Sequence, residues 1–231
     1  MTVETLDLQQ VAAQAGRDLE GASAGDVVAW TVDTFGDGFC VASSMKDAVL
    51  VDLVSRVRPG AAVVFVDTGY HFDETLLTRD AIAATYPVRV LNVTPRHTVA
   101  DQDRALGARL YERDPDLCCR LRKVAPLEQA LKPYAAWVSG IRREEAPTRQ
   151  HVPVVQWDAD REIVKVNPLV AWTRADLERY IAEHDVFVNP LVPAGYPSIG
   201  CAPCTRAVRP GESERAGRWA GTAKNECGLH S

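Results

Sequence analysis

The chain has 231 residues, of which 46% are hydrophobic and 25% charged, and its formal net charge is −5. This composition excludes a disordered chain, no apolar run approaches the ~20 residues that span a bilayer, and the acidic balance argues against a nucleic-acid partner. Residues 118–149 nevertheless carry seven Lys or Arg against three Glu, and residues 193–231 carry five against three. Such local excesses favour a compact anionic ligand; chance clustering on solvated faces is the alternative.

The periodicity of apolar residues predicts helices and buried strands in the order helix 23–36, strand 39–43, helix 47–57, strand 61–69, helix 72–85, strand 88–93, strand 136–140, strand 163–169 and helix 173–184. Continuously apolar strands separated by helices indicate a single doubly wound parallel-sheet α/β domain, covered on both faces. We assign residues 1–192 to this domain. Residues 193–231 begin with a segment rich in Pro and Gly, which predicts a C-terminal extension that folds back on the domain or on a metal.

The first ten residues lack the basic and apolar regions of a signal peptide. We therefore expect a cytoplasmic protein whose thiols stay reduced. In that compartment, the six cysteines are better explained as metal ligands or nucleophiles than as disulfides.

Polar residues follow three of the predicted strands. Ser43 and Ser44 follow the first strand, Asp67 and Thr68 follow the second, and Gly140 follows the fourth, ahead of several arginines. Each group alone is ordinary loop chemistry. Because ligands bind at the carboxyl ends of strands in a doubly wound sheet, the three together favour an anion of nucleotide size.

Four cysteines form two close pairs, Cys118 with Cys119 and Cys201 with Cys204. Four thiolates suit a structural zinc ion or an iron–sulfur cluster, and the spacing alone does not choose between them. The alternative is that Cys118 and Cys119 are small buried apolar residues and that the CAPC segment is incidental. Cys40 lies within an apolar strand, and we expect it to be buried there.

The sixth cysteine, Cys227, lies four residues from the end of the sequence and has no close cysteine neighbour. Arg215, Arg218 and Lys224 precede it, and cations lower the pKa of a thiol and so favour the nucleophilic thiolate. His230 could assist the thiol or bind an anion. The alternative is a surface segment with an incidental cysteine.

The segments CC, CAPCTR, RAGRW and ECGLH together resemble the assimilatory adenylyl-sulfate (APS) reductases, members of the phosphoadenylyl-sulfate reductase family. The segments VDTGYHF and WVSGIRREEAPTR fit the same family, and the resemblance covers roughly residues 25–231. It implies an adenine-nucleotide alpha-hydrolase-like domain with a C-terminal cluster-binding and catalytic tail. It also implies an enzyme of sulfate assimilation and cysteine biosynthesis that reduces APS to sulfite and AMP, with thioredoxin as electron donor.

The resemblance also assigns roles to residues. Cys227 would attack the sulfur of APS and form an S-sulfocysteine. Cys118, Cys119, Cys201 and Cys204 would hold a [4Fe–4S] cluster, with zinc as the other candidate occupant. The residues expected to contact substrate are Lys123, Arg149, Arg215 and Arg218 around the phosphosulfate, Ser43, Ser44, Asp67, Thr68 and Gly140 around the adenosine and phosphate, and His230 in the tail.

The chain departs from related pyrophosphatase loops, which read SGGxDS, because residues 43–48 read SSMKDA. The loss of both glycines argues against ATP cleavage. Two alternatives stay open: a reductase of 3′-phosphorylated APS (PAPS) or of both nucleotides, and a metal-stabilised nucleotide-binding redox module. A sulfur- or tRNA-modifying enzyme with the same sheet would have the SGGxDS loop and would not need ECGLH, so the sequence argues against it. The sequence also leaves open whether the protein is a homo-oligomer.

Overall fold

The computed structural model describes residues 7–220 together with Lys224, Glu226 and Gly228. Within these residues, six strands form one sheet in the order β3–β2–β1–β4–β6–β5. The strands are β1 Phe39–Ala42, β2 Ala62–Val66, β3 Arg89–Val93, β4 Ala136–Ser139, β5 Val155–Asp158 and β6 Ile163–Val166. All pairs are parallel except β5 with β6. The predicted doubly wound parallel sheet is thus confirmed, with one antiparallel edge strand added.

The helices that flank the sheet are α1 Leu8–Asp18, α2 Ala24–Phe35, α3 Val49–Val57, α4 Asp73–Thr85, α5 Val99–Leu106, α6 Leu110–Arg113, α7 Pro115–Cys119, α8 Ala125–Leu131 and α9 Arg174–His184. The four predicted helices correspond to α2, α3, α4 and α9. The Thr173 hydroxyl and the Asp176 carboxylate form the predicted capping box at the start of α9. No helix in the described part of the chain is long and apolar enough to cross a membrane.

Alternate residues of each strand point to opposite faces of the sheet, and both faces are buried. Val41 and Val138 belong to a core cluster that includes residues of α2 and α3, whereas Cys40 and Trp137 pack with Leu127 of α8 on the other face. Trp137 and Cys40 are fully buried. Burial of both faces explains why the inner strands β1, β2, β4 and β6 are mostly apolar, whereas the edge strands β3 and β5 are partly exposed.

A π-helical segment, Arg120–Val124, connects α7 to α8. The wider turn changes the direction in which successive side chains point, and such segments are frequent at functional sites. Here it follows Cys118 and Cys119 directly and buries the long side chains of Arg122 and Lys123. The interrupted helix therefore carries two cysteines and two cations into the protein interior.

The described part of the C-terminal extension lies against the loop that follows β2. The amide of Ala202 donates to the carbonyl of Tyr70 at 2.7 Å. Within the extension, Thr205 bridges to Arg218, and the amide of Trp219 donates to the carbonyl of Cys204 at 3.0 Å. The extension thus folds back toward the carboxyl edge of the sheet, while the proposed boundary at residue 192 stays a prediction.

Candidate active site

A cavity of about 220 Å³ opens at the carboxyl ends of β1, β2 and β4. Apolar side chains, among them Leu50, Phe65, Trp137 and Leu169, form part of its wall. Polar and charged side chains of the loops and of the extension form the rest. Such a combination suits a ligand with a flat apolar ring and an anionic end.

The turn after β1 forms one side of the cavity. Ser43 accepts a hydrogen bond from the amide of Met45 at 3.2 Å, and Met45 adopts a φ of 57°. That conformation favours glycine, which explains the glycine at this position of the SGGxDS loops. The Met45 side chain is fully buried, so core packing offsets the backbone strain here.

The loop is held in place by contacts that are distant in sequence. The side-chain Nδ2 of Asn189 donates to the carbonyl of Met45 at 3.1 Å and to the Thr75 hydroxyl at 3.2 Å. The backbone amide of Asn189 donates to the carbonyl of Lys46 at 3.0 Å. Asn189 is fully buried. The loop therefore presents Ser43 and Ser44 to the cavity in a fixed conformation.

Cations outnumber anions among the residues that line the cavity. The cations are Lys46, Lys123, Arg142, Arg149, Arg215 and Arg218, and the anions are Asp47, Glu145, Glu214 and Glu226. His71 also lines the cavity, and burial lowers its pKa. The excess of two positive charges in a partly enclosed space favours an anionic ligand.

The most direct contacts between the extension and the sheet domain are made by Glu226. Its two carboxylate oxygens accept hydrogen bonds from Nε and Nη2 of Arg149, both at 3.0 Å. Arg215 Nη2 donates to the same carboxylate at 3.0 Å, and the Thr148 hydroxyl donates at 3.3 Å. Burial opposes ionisation, but the bonds and charges of the two arginines outweigh it and lower the pKa of Glu226.

Three buried side-chain nitrogens at the cavity have no hydrogen-bond partner within the described residues. They are Nδ1 of His71, Nη1 of Arg142 and Nε of Arg218. Buried polar groups are normally paired, so unpaired ones in a cavity wall indicate where a ligand or water would bind. Arg218 is fixed by other contacts, since its Nη1 donates to the carbonyl of Ile199 at 3.2 Å and its guanidinium lies over the Trp219 ring.

A second, smaller cavity is lined by all four of the paired cysteines, Cys118, Cys119, Cys201 and Cys204. Burial, with repulsion from neighbouring cysteines, raises the pKa of Cys118 to about 12 and that of Cys204 to about 11. Four thiols facing one buried space are the donor set of a Cys₄ iron–sulfur or zinc centre, so these residues fit such a group.

No three His, Cys, Asp or Glu side chains of the described chain are arranged to hold a single metal ion. The identity of the occupant therefore stays a prediction. The five described cysteines form no disulfide with one another.

Three residues line both cavities: Lys123, Arg218 and Trp219. Gly200 makes this arrangement possible, because a Cβ at this position would lie 2.2 Å from Nη2 of Arg218. These three side chains thus form the wall between the larger cavity and the cysteine cavity, and two of them, Lys123 and Arg218, are cations.

The structure brings most of the predicted substrate residues together. Those that line the larger cavity are Ser43, Ser44, Lys123, Gly140, Arg149, Arg215 and Arg218. Asp67 and Thr68 are not among them. Thr68 contacts Cys201 Sγ at 3.3 Å through its hydroxyl, and Asp67 accepts a hydrogen bond from the amide of Gly69 at 3.0 Å. Cys227 and His230 lie outside the described residues, so the roles predicted for them stay predictions.

The sequence reasoning missed several residues of the site. His71 lies in VDTGYHF, and Gly200 directly precedes CAPCTR, but neither was assigned a role. Glu226, which directly precedes Cys227, was not assigned one either. Arg122 was also missed: it donates to the carbonyl of Thr68 and fixes the loop after β2. Of these residues, only Glu226 could have been singled out from the sequence, because it is the sole carboxylate side chain in ECGLH.

Comparison with known proteins places the chain among named relatives. Residues 39–207 match the family model described as the phosphoadenosine phosphosulfate reductase domain. A Streptomyces coelicolor protein named adenosine 5′-phosphosulfate reductase is 55% identical over 226 residues, which cover 98% of this chain and 96% of that protein. A Mycobacterium tuberculosis protein of the same name is 55% identical over 241 residues, covering 97% of this chain and 95% of that protein.

Solved structures agree with this placement. The crystal structure of a phosphoadenylyl-sulfate (PAPS) reductase from Candida auris, a phosphate complex, has a TM-score of 0.71 and 26% identity, covering 90% of this chain and 99% of that one. An FMN adenylyltransferase from Candida glabrata has a TM-score of 0.58 at 13% identity, covering 90% of this chain and 69% of that one. The second likeness concerns the fold alone.

Proposed function

Since the chain belongs to the phosphoadenosine phosphosulfate reductase family, we propose that it is an oxidoreductase that reduces APS to sulfite and AMP. The observation that carries the proposal is the cationic wall between the two cavities. Lys123 and Arg218 line both the nucleotide-sized cavity and the space enclosed by four cysteines. A nucleotide-binding module without redox chemistry has no need for that juxtaposition.

The cavity wall suggests how APS binds. The apolar side chains near Leu50 and Trp137 accept the adenine, and the turn at Ser43 and Ser44 binds the polar groups next to it. Arg149 and Arg215 bind the phosphosulfate, whose oxygens match the fork of a guanidinium. Fixed cations around the scissile S–O bond stabilise the charge that grows on the leaving AMP.

Cys227 supplies the nucleophile in this proposal. Its thiolate attacks the sulfur of APS, an S–S bond forms, the S–O bond to AMP breaks, and the enzyme becomes an S-sulfocysteine. One thiol of reduced thioredoxin then attacks Sγ of Cys227 and releases sulfite, and the second thiol resolves the mixed disulfide. The two electrons come from the thioredoxin dithiol, which ends as a disulfide. Such a donor, together with the free cysteines, favours the cytoplasm.

Cys118, Cys119, Cys201 and Cys204 hold the [4Fe–4S] cluster in this proposal, and the cluster supplies a fixed electric field beside Lys123. Lys123 lines both the cysteine cavity and the substrate cavity. We expect it to bind the sulfate end of APS and orient its sulfur toward the incoming thiolate.

The experiment that tests the function is the intact mass of the iron-replete protein after mixing with APS, and separately with PAPS, without thioredoxin. We expect one added sulfonate on the peptide that contains Cys227, formed faster with APS, and its release as sulfite on addition of reduced thioredoxin. Cys227→Ser is the control and should gain no mass. An iron-replete wild-type protein that forms no adduct with either nucleotide would contradict the proposal.

A further inference from the structure

Glu226 lines the larger cavity together with its six cations. Its carboxylate makes a two-pronged contact with Arg149, which is only 7% exposed, and a third contact with Arg215. These are the two arginines that the proposed function assigns to the phosphosulfate of the substrate. A carboxylate and a phosphosulfate both present oxygens at a spacing that suits a guanidinium fork, so they compete for the same donors.

Two further contacts hold the same short segment against the protein. Lys224 forms an ion pair with Asp116, next to α7, and the carbonyl of Gly228 accepts from Nη2 of Arg161 at 3.0 Å. These contacts involve neither Arg149 nor Arg215, and neither Asp116 nor Arg161 lines the cavity. The segment is therefore held at three points along its length, and departure of the Glu226 side chain from the arginines removes the middle one.

We propose that Glu226 is an internal counter-ion that fills the anion site of the ligand-free protein and is displaced when the phosphosulfate of a sulfonucleotide binds. The inference rests on the proposed function for the identity of that anion. Glu226 directly precedes Cys227, so the exchange couples arrival of the substrate to a change at the nucleophile. Without substrate, the carboxylate also offsets part of the positive charge of the buried Arg149 and of the partly buried Arg215.

The exchange lowers the apparent affinity for the anion, because the binding-competent form is only a fraction of the ligand-free protein. Removing the charge of Glu226 removes this competition. Glu226→Gln should therefore bind an anion more tightly than the wild type does. If Glu226 were instead only an anchor that organises the arginines, its loss would leave affinity unchanged or weaken it.

The test measures the dissociation constant of inorganic pyrophosphate by calorimetry, with the iron-replete wild type, Glu226→Gln and Glu212→Gln. Pyrophosphate resembles phosphosulfate in having two joined tetrahedral anionic groups. Glu212 is the matched control, since it lies in the same extension, pairs with Arg206 at 2.8 Å and does not line the cavity. We expect binding about three- to tenfold tighter for Glu226→Gln and unchanged for Glu212→Gln. Equal or weaker binding by Glu226→Gln would overturn the proposal.

A second measurement uses the wild type alone and so does not depend on how the variant folds. Trypsin cleavage after Lys224, followed by mass spectrometry, reports how firmly the segment is held, because the Lys224 side chain is nearly buried beside Asp116. Pyrophosphate should accelerate this cleavage severalfold, and an unchanged or slower rate would count against displacement. Both measurements are independent of turnover. A wild type that forms no adduct with APS would refute the reductase function while leaving the counter-ion exchange to be judged on the pyrophosphate data.

Discussion

Arg149 illustrates how one residue gains its role from three carboxylate contacts. It binds both oxygens of Glu226 and also Glu145, at 2.5 Å, while nearly all of its side chain is buried. Because Glu145 binds Nη1 of the buried guanidinium, its Nε and Nη2 stay directed toward Glu226 and the cavity. Arg143, six residues earlier, binds Glu20 and does not line the cavity.

Arg149→Ala should lower kcat/KM for APS about 100-fold, the size of the loss when one fixed donor to developing charge is removed. Arg149→Lys should recover only part of it, because an ammonium group cannot make the two-pronged contact. Steady-state sulfite release measures both. Arg179→Ala is the control, since Arg179 is mostly exposed and pairs only with Asp176 on α9. Equal rates for Arg149→Ala and Arg179→Ala would remove Arg149 from the site.

Lys165 on β6 is a buried cation whose ammonium group lies over the ring of Trp137, 5.0 Å from its centroid. Burial lowers its pKa to about 8, from 10.5 in the unfolded chain. The folded state therefore releases this proton between pH 8 and 10.5 while the unfolded state keeps it. The free energy of unfolding consequently rises with pH across that window, and below pH 8 the buried charge destabilises the fold.

Lys165→Met should then be more stable than the wild type at pH 7, by about 2–3 kcal/mol. The advantage should shrink through the same window and vanish above pH 10.5. Urea denaturation at pH 7, 9 and 10.5 checks this, with Lys132→Met as the exposed control. A difference that does not depend on pH would mean that packing, and not charge, sets the stability at this position.

At the scale of elements, the turn after β1 depends on Asn189, which lies far along the chain beyond α9. Its side chain closes hydrogen bonds to Met45, Thr75 and the amide of Leu191. Local sequence predicts a loop here but cannot show what fixes it. The strained φ of Met45 is maintained by this clamp together with the buried methionine side chain.

Asn189→Ala should destabilise the protein by about 2–4 kcal/mol, because it leaves the buried carbonyl of Met45 and the hydroxyl of Thr75 without a partner. The loss should also weaken nucleotide binding through the loosened turn. Urea denaturation measures the first effect and calorimetry with AMP the second. Asn92→Ala, an exposed position on β3, is the control. A cost below 0.5 kcal/mol would show that the turn holds its conformation without this clamp.

The sheet shows where element prediction succeeds. The four inner strands β1, β2, β4 and β6 were found because both of their faces are buried and their sequences are mostly apolar runs. The edge strand β3 was found from its apolar residues, although Arg89 and Asn92 are exposed. β5 was missed because it is a four-residue edge strand whose VQWD sequence has no such run. The π-helical segment was also missed, since nothing in RLRKV distinguishes a wide turn from an ordinary one.

At the scale of the whole molecule, the four paired cysteines connect α7 to the C-terminal extension. Cys118 and Cys119 lie at the end of α7, and Cys201 and Cys204 lie beyond α9, in residues 193–231. A bound group ligated by all four would cross-link two distant parts of the chain. Its binding free energy would then contribute directly to the stability of the extension.

Removal of the metal by an anaerobic chelator should therefore lower Tm by about 5–10 °C and increase hydrogen exchange in residues 193–220. Calorimetry and mass spectrometry measure the two effects, with iron analysis to verify the loss. A Cys201→Ser/Cys204→Ser variant should show no further decrease on chelation. An unchanged Tm in protein shown to have lost its iron would exclude a stabilising role for the bound group.

The sequence by itself determined the parallel sheet, the carboxyl edge at which a ligand binds, and the two cysteine pairs. The sheet follows from the periodicity of apolar residues, the carboxyl edge from the polar residues at strand ends, and the pairs from the spacing of the cysteines. Each of these signals depends only on residues that are close together in the sequence. Only the tertiary structure decided which polar groups face the cavity: Arg149 and Arg142 but not Arg143, and Thr68 at the cysteines instead of the larger cavity. It also placed Glu226 on the two arginines. The direction of a side chain depends on partners that are distant in the chain, and no local pattern encodes them.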